Sequence, residues 1–167
     1  MQRIDGGLAL KNSRAFFEEA ARVASQATCL RAKCGSVIVA ADGEIIGRGY
    51  NAPALGDERQ RHCADVFDFT KKPKYDKTCC VHAEWNAVID ACKHAPEKLT
   101  GSTLYFMRID EDGNFTGAGE PYCTTCSRFT MQAGVSNFAL WNDGVVDMYP
   151  LAEYNDASYE YYRGSVR

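Results

Sequence analysis

The chain has no surplus of positive charge: 19 lysines and arginines stand against 22 aspartates and glutamates, for a formal net charge of -3. Without a basic surface there is little electrostatic drive to track a nucleic acid backbone, so stable binding to a nucleic acid polymer is not expected. No apolar run approaches the roughly 18 residues needed for a membrane-spanning helix, and no membrane association is expected. Met1 to Ala9 has neither a basic flank with a long apolar stretch nor a cleavage pattern, which makes the cytoplasm the expected address. Internal repeats and low-complexity tracts are also missing. Prolines number only five, while hydrophobic residues make up 46% and charged residues 25%, the balance of a chain that folds. A length of 167 residues is that of one domain, expected to span 1–167.

The hydrophobic pattern orders the elements. Phe16, Phe17, Ala20, Ala21, Ala24 and Ala27 recur at three- and four-residue steps, predicting a first helix from about Ser13, as its cap, to Thr28. Gly35 to Ala41 is β-branched, and Asp42-Gly43 offers a two-residue turn into Glu44 to Tyr50, a hairpin. Ala52 to Thr78 mixes prolines and charges without a period and reads as a long loop. A second helix begins near His82, Thr103 to Met107 reads as a buried strand, and Cys126 to Ala133 as a helix stopped by Gly134. Val135 to Trp141 follows as a strand and Pro150 to Tyr162 as a closing helix. This order predicts an α/β architecture, a sheet covered by helices.

Eight cysteines in a chain of cytoplasmic type are thiols or metal ligands before they are a disulfide framework. His82-Ala83-Glu84 opens the second helix and Cys123-Thr124-Thr125-Cys126 opens the third, so two helix starts can converge on one point. One imidazole and two thiolates suit zinc, and three protein ligands leave the fourth position of a catalytic site for water. Helix N-termini favour thiolate over thiol. Glu84, two positions past His82, falls about 200° away around an ideal helix, which places it beside the metal and not on it. A carboxylate there can take a proton from an activated water and pass it to a substrate.

His82-Ala83-Glu84 with Pro121-Tyr122-Cys123-Thr124-Thr125-Cys126 resembles the zinc-dependent cytidine and deoxycytidylate deaminase superfamily. Gly49-Tyr50-Asn51, the hairpin from Gly35 to Tyr50 and His82-Ala83-Glu84-Trp85-Asn86-Ala87 are similar to the deoxycytidylate branch. The resemblance runs from about Ser13 to Trp141, with one departure: Tyr122 separates Pro121 from Cys123, where the usual pattern has proline directly before the first cysteine. It implies a three-layer α/β/α cytidine deaminase-like fold with a central mixed sheet. It further implies a catalytic Zn2+ on His82, Cys123 and Cys126, with Glu84 as proton carrier, and substrate contacts from Asn51 and the Ala83 backbone. The implied reaction is deamination of a free cytosine nucleotide, dCMP to dUMP with release of ammonia, in a homo-oligomer. Some members of that branch carry a second, structural zinc, for which Cys29, His62, Cys63 and Cys79 are candidates here, with Cys80 as an alternate to Cys79.

Simpler readings stand beside these. A C-x-x-C pair alone fits a redox pair or a zinc knuckle, Asn51 fits a turn, Ala83 fits close helix packing, and the other cysteines fit buried thiols. Arg59, Arg61, Lys71, Lys72, Lys74 and Lys77 crowd the long loop and could meet a substrate phosphate, although Asp57, Glu58, Asp65, Asp68 and Asp76 are interleaved. Other amine substrates, namely cytidine, a free base or tRNA adenosine, are alternatives. So is a zinc-stabilised binding or regulatory protein without turnover, against which Glu84 is the discriminating residue.

Overall fold

The computed structural model describes residues 1–63 and 79–163, the side chain of Tyr162 excepted. Nine strands and four α-helices are seen among them. In chain order they are β1 (Gln2–Ile4), α1 (Gly7–Ala24), β2 (Lys33–Val39), β3 (Ile45–Tyr50), β4 (Ala52–Pro53) and β5 (Cys80–Val81). There follow α2 (Ala83–His94), β6 (Thr103–Ile109), β7 (Phe115–Thr116), α3 (Thr124–Gln132), β8 (Asn137–Asn142), β9 (Val145–Pro150) and α4 (Leu151–Arg163). The main sheet runs β1-β9-β8-β6-β2-β3, with β7 on the end of β6. It is mixed: β6 and β8 are parallel, joined by a crossover containing α3, and the other pairs are antiparallel. No helix among the described residues is long and apolar enough to cross a membrane.

Strand alternation sends each strand's side chains into two cores. Val37, Val39, Tyr105, Met107 and Trp141 meet Phe17, Ala20 and Ala24 of α1 on one face. Ile38, Leu104, Phe106, Phe138 and Leu140 meet α2 and α4 on the other. The three layers α/β/α are thereby built.

Small residues bring the helices onto the sheet. A Cβ at Gly35 would lie 2.1 Å from the Ala20 carbonyl of α1, and one at Gly49 would lie 2.2 Å from the Ala87 nitrogen and 2.3 Å from the Ala83 oxygen of α2. No side chain fits at either place without moving a helix backbone. Polar ties fix the same contact: Asn86 Nδ2 donates to the Tyr50 carbonyl at 2.8 Å, and the Arg48 amide donates to Asp90 at 2.9 Å. The start of α2 is therefore held firmly over β3.

Several boundaries differ from the sequence expectations. α1 begins at Gly7, and Ser13 is no cap but a buried mid-helix residue whose side chain hydrogen-bonds Tyr105. The β2–β3 connection has three loop residues, because Ala40 N–H donates to the Glu44 carbonyl while Gly43, at φ 88°, closes the turn. β9 is a strand the hydrophobic pattern did not resolve from the closing helix, entered through a turn with positive φ at both Asp143 and Gly144.

Candidate active site

The ends of α2 and α3 meet above the sheet. His82 is the N-cap of α2 and has extended φ/ψ of -68° and 152°, while Cys123 is the N-cap of α3. Capping turns the Cys123 side chain back across its helix mouth, where the first backbone N–H groups lack helical partners, whereas the His82 side chain makes no cap hydrogen bond. Cys123 Sγ accepts from the Cys126 amide at 3.3 Å. His82 Nδ1 lies 3.0 Å from Cys126 Sγ and 3.6 Å from Cys123 Sγ, and the two sulfurs are 2.8 Å apart. All three donor atoms fall within 4.8 Å of one another, and among the described residues the group holds these three.

The electrostatics suit a soft divalent cation. The Cys123 thiol is drawn down to about 4 by the hydrogen bond from Cys126, helped by His82, Thr125 and the Cys126 amide against the opposing effect of burial. A thiolate therefore forms at neutral pH at the helix mouth. An imidazole nitrogen and two cysteine sulfurs gathered at one point are a donor set that suits zinc, which when bound supplies a Lewis acid able to make water nucleophilic near neutral pH. Trp85 packs beside the His82 ring, centroids 5.8 Å apart, and beside Phe129 at 5.4 Å, supporting the imidazole from behind.

Glu84 is 6% exposed and reaches the same place by another route than a helical wheel suggests. Because His82 precedes the helix, the 200° separation does not apply, and the Glu84 carboxyl hydrogen-bonds the Cys126 thiol. Burial holds this carboxyl above its ordinary value, with the Cys123 thiolate adding to the effect and His82 opposing it. A desolvated acid beside a donor group is the arrangement that moves protons.

A cavity of about 250 Å³ opens from His82 and Glu84 toward Asn51, Arg108 and Tyr122. Asn51 lines it, but its amide is committed to the backbone of the β2 entry: Oδ1 accepts from the Cys34 amide at 2.8 Å and Nδ2 donates to the Ala32 carbonyl at 2.8 Å. One N–H and one lone pair remain for a ligand. Ala83 also lines the cavity and is buried, with its backbone oxygen close against Gly49.

A second group of donors walls the far side of the same cavity. Cys63, Cys79 and Cys80 have their sulfurs within 4.8 Å of one another, with Cys63 and Cys79 at 3.2 Å. Both Cys79 and Cys80 belong to it, and the Cys29 thiol hydrogen-bonds that of Cys80. His62 lines the cavity without belonging to the three-sulfur group. The Cys63 thiol is lowered by hydrogen bonds from Cys79, Arg61 and the Leu30 amide, and that of Cys80 is raised by burial and its thiol neighbours. In the loop, Arg59 pairs with Asp57 and Arg61 with Glu58, so these two arginines are spent locally. Lys71, Lys72, Lys74 and Lys77 lie outside the described residues.

Two inward-facing residues escaped the sequence reading, Arg108 and Cys34. The signal for Arg108 was present, because a cation stands where the alternation of β6 calls for a side chain on a packed face.

A layered α/β sheet with a His/Cys/Cys group capped by a buried carboxyl defines the class of zinc-dependent deaminases. The chain belongs to the cytidine and deoxycytidylate deaminase family, whose zinc-binding region matches residues 10–141. Among solved structures, it is similar to the dCMP deaminase of cyanophage S-TIM5 in complex with dCMP and dUMP, at 23% identity and a TM-score of 0.54 over 77% of this chain and 79% of that one. The cytidine deaminase of Burkholderia pseudomallei is similar over 84% and 94% of the two chains, at 17% identity and a TM-score of 0.55. These likenesses establish the fold. No curated protein matches the chain.

Proposed function

We propose that this deaminase acts on a free cytosine nucleotide, converting dCMP to dUMP with release of ammonia. His82, Cys123 and Cys126 would hold the catalytic zinc. Glu84 would carry a proton from the attacking water to N3 of the base and then to the leaving amine. Asn51 and the Ala83 backbone would position sugar and base. The observation that carries this reading is the buried Glu84 carboxyl against the Cys126 thiol, because a purely structural metal has no use for an acid in that place. The Gly49-Tyr50-Asn51 sequence, similar to the deoxycytidylate branch, favours the nucleotide over cytidine, a free base or tRNA adenosine. The acidic balance of the chain also weighs against tRNA.

The cluster of Cys63, Cys79 and Cys80, with Cys29 beside it, is read as a second, structural zinc site tying together chain segments distant in sequence. Residues 1–167 form one domain in this reading, working as a cytoplasmic homo-oligomer. Following ammonia release over a panel of cytosine and adenine nucleotides, nucleosides and bases tests reaction and substrate together. Release from dCMP above all others is expected. A zinc-loaded protein that releases none from any compound would support the non-catalytic alternative.

A further inference from the structure

Arg108 is the unusual residue of the cavity. It stands on β6 in register with Cys34 of β2, on the face that Leu104 and Phe106 present to α2. Its Nη2 donates to the Tyr122 hydroxyl at 3.3 Å and the guanidinium also hydrogen-bonds the Cys34 thiol, but its Nε is buried without a hydrogen-bond partner. Among the described residues no carboxylate pairs with it. Arg31, exposed on the rim of the same cavity, is likewise without a carboxylate partner among the described residues. Of the other described arginines, Arg14, Arg22, Arg48, Arg59, Arg61 and Arg163 each pair with a carboxylate, whereas Arg128 donates to the Thr124 carbonyl and Arg3 has no carboxylate partner among the described residues.

A half-buried guanidinium with an unsatisfied N–H is costly unless something supplies an acceptor and a negative charge. A sugar hydroxyl supplies the first but not the second. A phosphate supplies both, in the geometry that the guanidinium fork matches. Tyr122, which lines the same cavity as Glu84, holds Arg108 through its hydroxyl and lies within electrostatic reach of Glu84 and Cys123, so the cationic group and the proton-carrying group share one cavity. Arg108 and Tyr122 flank this chain's route into the Cys123 turn, in which β6 runs on into a short hairpin with β7 before Pro121.

We propose that Arg108, aimed by the Tyr122 hydroxyl and assisted by Arg31 at the rim, forms the anion subsite that takes the 5′-phosphate of the substrate, so that the protein selects nucleotide over nucleoside. This rests on the deaminase reading for the base, and the test separates the two.

The zinc-loaded protein is titrated calorimetrically with dUMP and with deoxyuridine, which differ only in the phosphate. Wild type is expected to bind dUMP at least tenfold more tightly. R108Q should weaken dUMP by about 10- to 100-fold while moving deoxyuridine less than about threefold, as for loss of a charge-assisted, forked contact. R108K, which keeps the charge but not the fork, should recover part of the loss. R31Q, at an exposed site that leaves the interior intact, should weaken dUMP by about threefold or more and decides the matter if R108Q does not fold. Equal weakening of both ligands by R108Q, no preference for dUMP in wild type, or an R31Q protein that binds dUMP like wild type would overturn the proposal. Ammonia release is read separately. A protein that binds dUMP through Arg108 yet deaminates nothing keeps the subsite and loses the deaminase reading. One that deaminates deoxycytidine as readily as dCMP keeps the reaction and loses the subsite.

Discussion

Two groups of metal-competent donors wall one cavity, and they are built in opposite ways. His82, Cys123 and Cys126 sit at the mouths of two helices locked onto the sheet, one of them by the Gly49 contact. Cys63, Cys79 and Cys80 come from two chain segments on either side of residues 64–78, supported by a two-residue strand pair and by Cys29. The first group mixes an imidazole with thiols and has a buried carboxyl against it. The second is all sulfur, with no carboxylate in its donor group among the described residues. An asymmetric set beside an acid suits chemistry, whereas an all-thiol set that closes a loop suits stability. Ligand type and backing, more than the mere proximity of cysteines, distinguish the two.

The largest break in this comparison comes from Cys123→Ser. It should remove zinc from the first site and lower ammonia release by at least about 1,000-fold, since both the Lewis acid and its seat are lost; metal analysis alongside the assay checks both. Cys79→Ser should do the reverse: one zinc fewer per chain, a Tm lower by about 5–10 °C, and turnover within a few-fold of wild type. Loss of turnover equal to that of Cys123→Ser would erase the distinction, and one zinc per wild-type chain would remove the second site altogether.

Gly49→Ala sharpens the comparison from below. A methyl group there meets the Ala83 and Ala87 backbone at about 2.2–2.3 Å and must push the start of α2 outward. A destabilisation of about 1–3 kcal/mol is expected, together with a fall in kcat, because His82 and Glu84 ride on that helix start. The second zinc should stay. A kcat equal to wild type would mean that the close approach does not position the site.

The smallest effect is expected remote from both groups. Glu19 on α1 is held at about 2, below the ordinary 4.5, by its forked hydrogen bond from Arg22, with Arg48 assisting against burial. A depressed carboxyl contributes stability that is complete above pH 4.5 and lost as pH falls through that range toward 2. With Arg22 largely exposed, the contribution is on the order of 1 kcal/mol. Acid unfolding of Glu19→Gln should therefore show a shallower loss between pH 4.5 and 2, with zinc content at neutral pH unchanged.

What could be read from the residues follows a physical line. Short-range chemistry was legible: the hairpin from its Asp42-Gly43 turn, the helix starts from His82 and Cys123, and zinc from the identity of the ligands. Long-range pairing was less so. The joining of Cys63 to Cys79 and Cys80 depends on closing a long loop, for which no periodicity speaks. Ser13 misled because a hydroxyl at a helix start and one buried against a tyrosine look alike in sequence. Treating His82 as a helical residue put Glu84 beside the ligands through a 200° separation that does not apply, since an N-cap has extended geometry and the wheel starts one residue later. The residue pattern places the closing helix within a residue of its observed start but misses β9, leaving the stretch between Trp141 and Pro150 unassigned although Asp143-Gly144 is a strong hairpin signal.

The most direct measurement is made on Glu84→Gln, which preserves shape and hydrogen bonding while removing the proton carrier. Zinc content and ammonia release from dCMP are measured on the same preparation. Full retention of metal with turnover reduced by about 100- to 10,000-fold is the expected result. Turnover within about threefold of wild type, or loss of the zinc along with the carboxyl, would contradict the role given to Glu84.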